Sequence, residues 1–142
     1  QYFFDSFEEC EKVCELSSAC PVPFDYKYAT AADINKNPAG YNGAPVYLTG
    51  DVKVGPAMCT LMACSPENPC CNSCGASMEI YDGSGMIELN SGGIGQVGCG
   101  GNECTYMNNC KPFSPDPGFL IWGKIQVYYN YPYLNVDGYC KK

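Results

Sequence analysis

Twelve cysteines lie within 142 residues, and no other feature narrows the possible folds of this chain as much. Frameworks of that density, with an even count that can pair off completely, form and persist in oxidising compartments, whereas a reducing cytosol keeps thiols free. The chain is therefore expected to be secreted and extracellular. Its staples should be disulfides drawn from Cys10, Cys14, Cys20, Cys59, Cys64, Cys70, Cys71, Cys74, Cys99, Cys104, Cys110 and Cys140. Hydrophobic residues make up 46 %, enough for an apolar core, so the disulfides reinforce folding rather than replace a core. Gln1 at the start fits an N-terminus left by removal of a signal peptide.

Charge and residue types then exclude several functions. A formal net charge of -7 with only eight lysines and arginines disfavours phosphate backbones and anionic lipid, so neither nucleic acid nor a membrane surface is expected as a partner. No apolar run approaches the roughly 20 residues that span a bilayer. Histidine is absent, which removes the commonest acid–base side chain and the usual activator of a Ser or Cys nucleophile. We expect no enzyme, no catalytic residue and no cofactor.

Along the chain, DSFEECEKVCEL over residues 5–16 predicts a short helix. Ser6 and Glu9 form a capping box, and Phe7, Cys10, Val13 and Cys14 share a face. Side chains one turn apart do not converge, so Cys10 and Cys14 are expected in separate disulfides, at least one of them to a cysteine beyond residue 20 or else to a partner chain. Residues 21–45, rich in Pro, Asn and Gly, read as an irregular surface connector. Period-two alternation then marks strands. Val46, Leu48, Val52 and Val54 share a face, with a bulge or kink expected at Gly50. Met78 and Ile80 lead into an Asp82-Gly83-Ser84-Gly85 turn, followed by Ile87 and Leu89. Phe119, Ile121, Ile125 and Val127 precede a turn near Asn130 and Pro132, followed by Leu134 and Val136. A long strand, a hairpin, a linker and a closing hairpin predict a mainly β fold, a five-stranded OB-like barrel stapled by disulfides with a short N-terminal α-helix. The expected division is a helical segment 1–20, a connector 21–45 and a cysteine-rich OB-like domain 46–142.

Three clusters invite a sharper reading. Cys71-Asn-Ser-Cys74 has a zinc-ligand spacing, but without histidine, and in an oxidising compartment, the cluster Cys59 to Cys74 reads as a disulfide knot. Adjacent Cys70 and Cys71 should diverge to different partners, some supplied by Cys99, Cys104 and Cys110. Asp33, Asn35 and Asn37 resemble the opening of a calcium loop, yet Pro38 and Ala44 stand where its glycine and bidentate glutamate belong; a polar connector explains them. No metal site is expected. Tyr128, Tyr129, Tyr131 and Tyr133 form a candidate interaction surface, since tyrosine offers rigid contact area with a polar handle; the outer faces of two strands would space them the same way.

QYFFDSFEECEKVC, residues 1–14, resembles the C-terminal end of a Kunitz-type inhibitor domain: Phe3 or Phe4 stands before an acidic capped helix, and Cys10-x-x-x-Cys14 matches the spacing of that family's last two cysteines. The family's inhibitory loop has no counterpart in this chain. From about Val46 to Cys140 the strand order and cysteine richness are similar to netrin-like domains of tissue inhibitors of metalloproteinases, although those place a cysteine first and this chain begins with Gln1. Both resemblances imply a secreted protein-binding module of the protease-inhibitor type, acting on an extracellular protein such as a protease. The alternative is a self-assembling structural or adhesive protein of an extracellular matrix, mucus, shell or fibre.

Overall fold

Alternating side chains bury one face of a strand only if neighbouring strands bury theirs in the same register, and this condition organises the chain. The computed structural model describes residues 20–142; the helix expected over 5–16, with Cys10 and Cys14, lies outside them. In chain order the elements are β1 (Lys27–Tyr28), α1 (Ala31–Lys36), α2 (Pro38–Tyr41), β2 (Pro45–Cys59), β3 (Ser73–Tyr81), β4 (Met86–Asn90), β5 (Gly98–Asn102), a 3-10 turn (Tyr106–Asn108), β6 (Cys110–Lys111), β7 (Phe119–Tyr128) and β8 (Tyr131–Lys141). The fold is mainly β, one sheet in the order β1-β2-β7-β8-β4-β3-β5-β6.

Because β2 also pairs with β3, the five long strands close a ring of pairings, β2-β7-β8-β4-β3 and back to β2. These are the five strands predicted from alternation. The ring is not a clear barrel. Its one parallel seam, β4 to β8, has only three residue pairs, and β2 divides its length between two neighbours, β7 up to Gly50 and β3 from Asp51. Gly50 stands at that change of partner, where a Cβ would run into the Tyr81 carbonyl oxygen. The expected bulge is displaced from it, to between Val54 and Ala57.

Inside the ring Val46, Leu48, Val52, Met78, Ile80, Ile87, Leu89, Phe119, Ile121, Ile125, Leu134 and Val136 are buried, while Val54 and Val127 pack against them partly exposed. At about 1.5–3 kcal/mol per fully buried aliphatic or aromatic side chain, this is the principal source of stability.

The reading of 21–45 as a surface connector needs correction. Ala31 and Ile34 of α1 are wholly buried in the core. Hydrogen bonds specify the placement: the three leading N–H groups of α1, which no intrahelical carbonyl can satisfy, go to side chains. Ala31 N–H donates to Asp82 Oδ2 at 2.8 Å, Ala32 N–H to Ser84 Oγ at 3.0 Å and Asp33 N–H to Thr30 Oγ1 at 3.1 Å. Thus the tip of the β3–β4 hairpin caps a helix 51 to 52 residues earlier in sequence. Asn35 donates to the Ala31 and Met86 carbonyls, so the calcium-like residues belong to a docked helix instead of a ligand loop.

Residues 20–28 cover the outer face of the ring. Cys20, Tyr47 and Leu120 form a second buried cluster flanked by Val22, Tyr26, Tyr28, Trp122 and Cys140, clamped by the Cys20–Cys140 disulfide. A register shift opposite Trp122 and Gly123 makes Asp137 the extra residue of β8, and such bulges re-aim a side chain. Asp137 accepts from Tyr26 at 2.7 Å, Lys124 at 3.2 Å and the Gly93 N–H at 3.1 Å. Burial raises its pKa, but the hydrogen bonds from Tyr26, Lys124 and Gly93 outweigh that and hold the carboxyl below its ordinary 3.8. A carboxyl depressed in the folded state adds stability above its unfolded value, and that stability is lost as pH falls through the folded value. Asp137→Asn should therefore lower stability by about 1 kcal/mol near neutral pH. Urea unfolding at stepped pH should show the gap from the native chain closing as pH falls through and below the ordinary carboxylate value.

Candidate binding surface

Outward-facing residues of the same strands form a cluster of carboxylates and hydroxyls. Alternation places Ser77, Glu79 and Tyr81 of β3 opposite the buried Met78 and Ile80, and Glu88 of β4 opposite the buried Ile87 and Leu89. The four-residue turn 82–85 sets the register Tyr81 to Met86 and hence Glu79 directly against Glu88. Continuing round the ring, Lys53 pairs with Glu79, Glu88 with Tyr133, and Tyr133 with Gln126.

Hydroxyls hold the two carboxylates in place. Tyr81 donates to Glu79 Oε1 at 2.9 Å, Ser77 to Glu88 Oε2 at 2.9 Å and Tyr131 to Glu88 Oε1 at 3.2 Å. The bond to Glu79, then desolvation, raises the Tyr81 pKa; desolvation first and Glu88 second raise that of Tyr131. Glu79 is buried, at 7 % exposure, although it lies on the outer face. Its carboxylate sits over Gly55, where a Cβ would stand 3.0 Å from Oε2. Both ion pairs among the described residues, Lys124 with Asp137 and Lys141 with Asp116, lie elsewhere. Lys53 is turned over the Tyr81 ring, 4.8 Å from its centre.

The four tyrosines singled out from the sequence come together at the β7–β8 hairpin beside these glutamates. Tyr128 and Tyr131 pair across the strands, and the Tyr133 ring meets Tyr128 at 5.9 Å and Tyr131 at 5.0 Å, both edge-on. Tyr129 and Asn130 make the two-residue turn with φ of 50° and 64°. Two positive φ values suit Asn or Gly, and a bulky residue there gives up about 1 kcal/mol. Tyr129 nonetheless occupies the first position, its ring wholly in solvent, with Tyr128 and Tyr131 about half exposed. Glu79 and Glu88 were missed from the sequence, although their symmetry about the predicted Asp82–Gly85 turn was the available signal.

The opposite end of β3 is a disulfide knot. Cys59 joins Cys74, Cys64 joins Cys71, Cys70 joins Cys104 and Cys99 joins Cys110. Adjacent Cys70 and Cys71 do diverge, the former to the second cysteine cluster. Asn72 organises the loop: it accepts from Thr60 and the Met62 N–H, and donates to the Met62 carbonyl and Glu103. Cys64, Cys71 and Glu103 offer atoms within 4.8 Å of one another, but the two sulfurs are bonded together and present no thiolate. Met58, Leu61 and Met62 stand exposed on this rigid frame. All ten described cysteines pair among themselves, which leaves none beyond residue 20 for Cys10 or Cys14 and removes one of the two partners expected for them.

Five disulfides, with no helix among the described residues long and apolar enough to cross a membrane, fit a secreted or extracellular protein. No protein-family model and no curated protein sequence matches the chain.

Proposed function

We propose that this chain is a secreted, non-catalytic module that binds another extracellular protein through its tyrosine hairpin. The observation that carries this reading is Tyr129, a fully exposed ring at a left-handed backbone position that folding stability alone would give to Asn or Gly. Around it Tyr128, Tyr131 and Tyr133 add rigid aromatic area of the kind that dominates interface energetics. Pairing of β7 with β8, and of β8 with β4, holds this surface in one conformation, so little entropy is lost on binding. Secreted proteases are one partner class, in keeping with an inhibitor role.

Tyr129→Asn tests the assignment. The variant should be at least as stable as the native chain, yet bind an extracellular partner captured from the source fluid at least about tenfold more weakly, as for a central aromatic anchor. Equal retention by both proteins would overturn it. A second reading is favoured by the separate apolar set Met58, Leu61 and Met62 on the knot: two unlike patches on one molecule permit head-to-tail assembly into a matrix or fibre. Light scattering across protein concentration separates the two, since assembly raises the mass and a binding module stays monomeric.

A further inference from the structure

We propose that the Cys59–Cys74 disulfide is a site of thiol–disulfide exchange, at which a small thiol such as glutathione attaches to Cys59; the assignment is independent of the tyrosine hairpin. Register is its first support. Cys59 lies directly opposite Cys74 on β2 and β3, as Cys99 lies opposite Cys110 on β5 and β6. Beside the first pair the Thr60 N–H donates to the Ser73 carbonyl, and beside the second the Gly100 N–H donates to the Asn109 carbonyl. Bonded and non-bonded pairs alternate along an antiparallel ladder, so both cysteine pairs fall on non-bonded positions, where Cα atoms come closest, about 4.5 Å. A relaxed disulfide prefers about 5.5–6 Å and usually spans no less than about 4.4 Å. The sheet holds these two bridges at Cα separations of 4.1 and 3.9 Å. Cys20–Cys140, Cys64–Cys71 and Cys70–Cys104, free of that constraint, span 5.6, 5.7 and 5.7 Å. A bridge pressed below its preferred span is the more readily reduced.

Access then separates the two close bridges, because an attacking thiolate must reach a sulfur. Cys59 is exposed and Cys74 buried, whereas Cys99 is buried and Cys110 packs half-buried against the core. Cys104, in the relaxed Cys70–Cys104 bridge, is exposed, so close approach and exposure each occur alone elsewhere in the chain. Attack on Cys59 Sγ forms a bond from the incoming sulfur to Cys59 and breaks the bond to Cys74. The electron pair stays on Cys74 Sγ, which takes up the proton that the incoming thiol released. Burial raises a thiol's pKa, and the thiolate is the nucleophile; Cys74 therefore returns slowly to Cys59, and the mixed disulfide persists. Ala57 and Met58 still pair with Ala76 and Gly75 just before the bridge. The change is thus local, a charged tripeptide placed beside the exposed Met58.

The experiment incubates the full-length native protein with reduced glutathione near neutral pH, traps free thiols by alkylation after set times, and maps each cysteine by mass spectrometry without reduction. The expected result is one glutathione on Cys59 with Cys74 alkylated, appearing at least about tenfold faster than Cys70–Cys104 or Cys99–Cys110 opens. The double change Cys59→Ala and Cys74→Ala should abolish this uptake; should that variant fail to fold, the site-resolved rates in the native chain decide alone. Earlier opening of any other described bridge would overturn the site. So would simultaneous opening of all five, as global unfolding gives, or no opening of Cys59–Cys74 while circular dichroism reports a folded chain.

Discussion

Removing the Cys20–Cys140 disulfide by the double change Cys20→Ala and Cys140→Ala is expected to destabilise the protein by about 5 kcal/mol, the chain-entropy value for a loop of this length. The bridge closes 120 residues of separation, nearly the whole described chain. It also clamps residues 20–28 over Tyr47 and Leu120, so its loss frees the cover of a buried cluster. Since folded domains hold only about 5–15 kcal/mol in all, this loss is about a third or more of the total. Removing Cys64–Cys71, with a separation of seven, should remove about 2.5 kcal/mol by the same relation. Urea midpoints for the two variants measure the difference. Equal losses would mean that the long bridge acts only as a local contact and that the second cluster holds without it.

Gly50→Ala is expected to have the next largest effect, about 3 kcal/mol, seen as a melting temperature lower by roughly 10 °C. The added methyl would be driven into the Tyr81 carbonyl oxygen, with the Asp82 Cα 3.1 Å away. Both are backbone, so no side chain can turn aside. Relief requires separating β2 from β3 where β2 changes partner, and that movement pulls on the Asp82 side chain that caps α1. Gly85→Ala is the control. There a Cβ meets the Ala31 methyl at 3.5 Å, an ordinary contact, and the change should stay within about 1 kcal/mol. Similar melting temperatures for the two variants would show that the close approach at Gly50 is readily relaxed.

The core was legible because its signal repeats within each strand. Twelve of the fourteen side chains predicted to share the inner face, from Val46 to Val136, are buried; Val54 and Val127 fall short because each lies near the end of the alternating run that marked its strand. The Asp82–Gly85 and Asn130 turns were legible for the same local reason, a few residues with defined backbone preferences. By contrast β5, with sequence Gly-Cys-Gly-Gly-Asn, has almost no side chain to alternate. It exists because Ala76 and Cys110 offer pairing on either side.

What the sequence by itself determined is a mainly β chain with an even set of cysteines suited to disulfides, one apolar face per strand and a tyrosine-rich closing hairpin. Each depends on composition or on residues two to four apart. Tertiary structure alone decided which cysteines bond, that Ala31 and Ile34 leave the surface for the core, and that Glu79 meets Glu88 beneath the tyrosines. These are pairings between distant segments, selected by where hairpin register and ring closure bring side chains together. A residue's own type states what it can bond or bury; only the assembled sheet supplies the partner at the required distance.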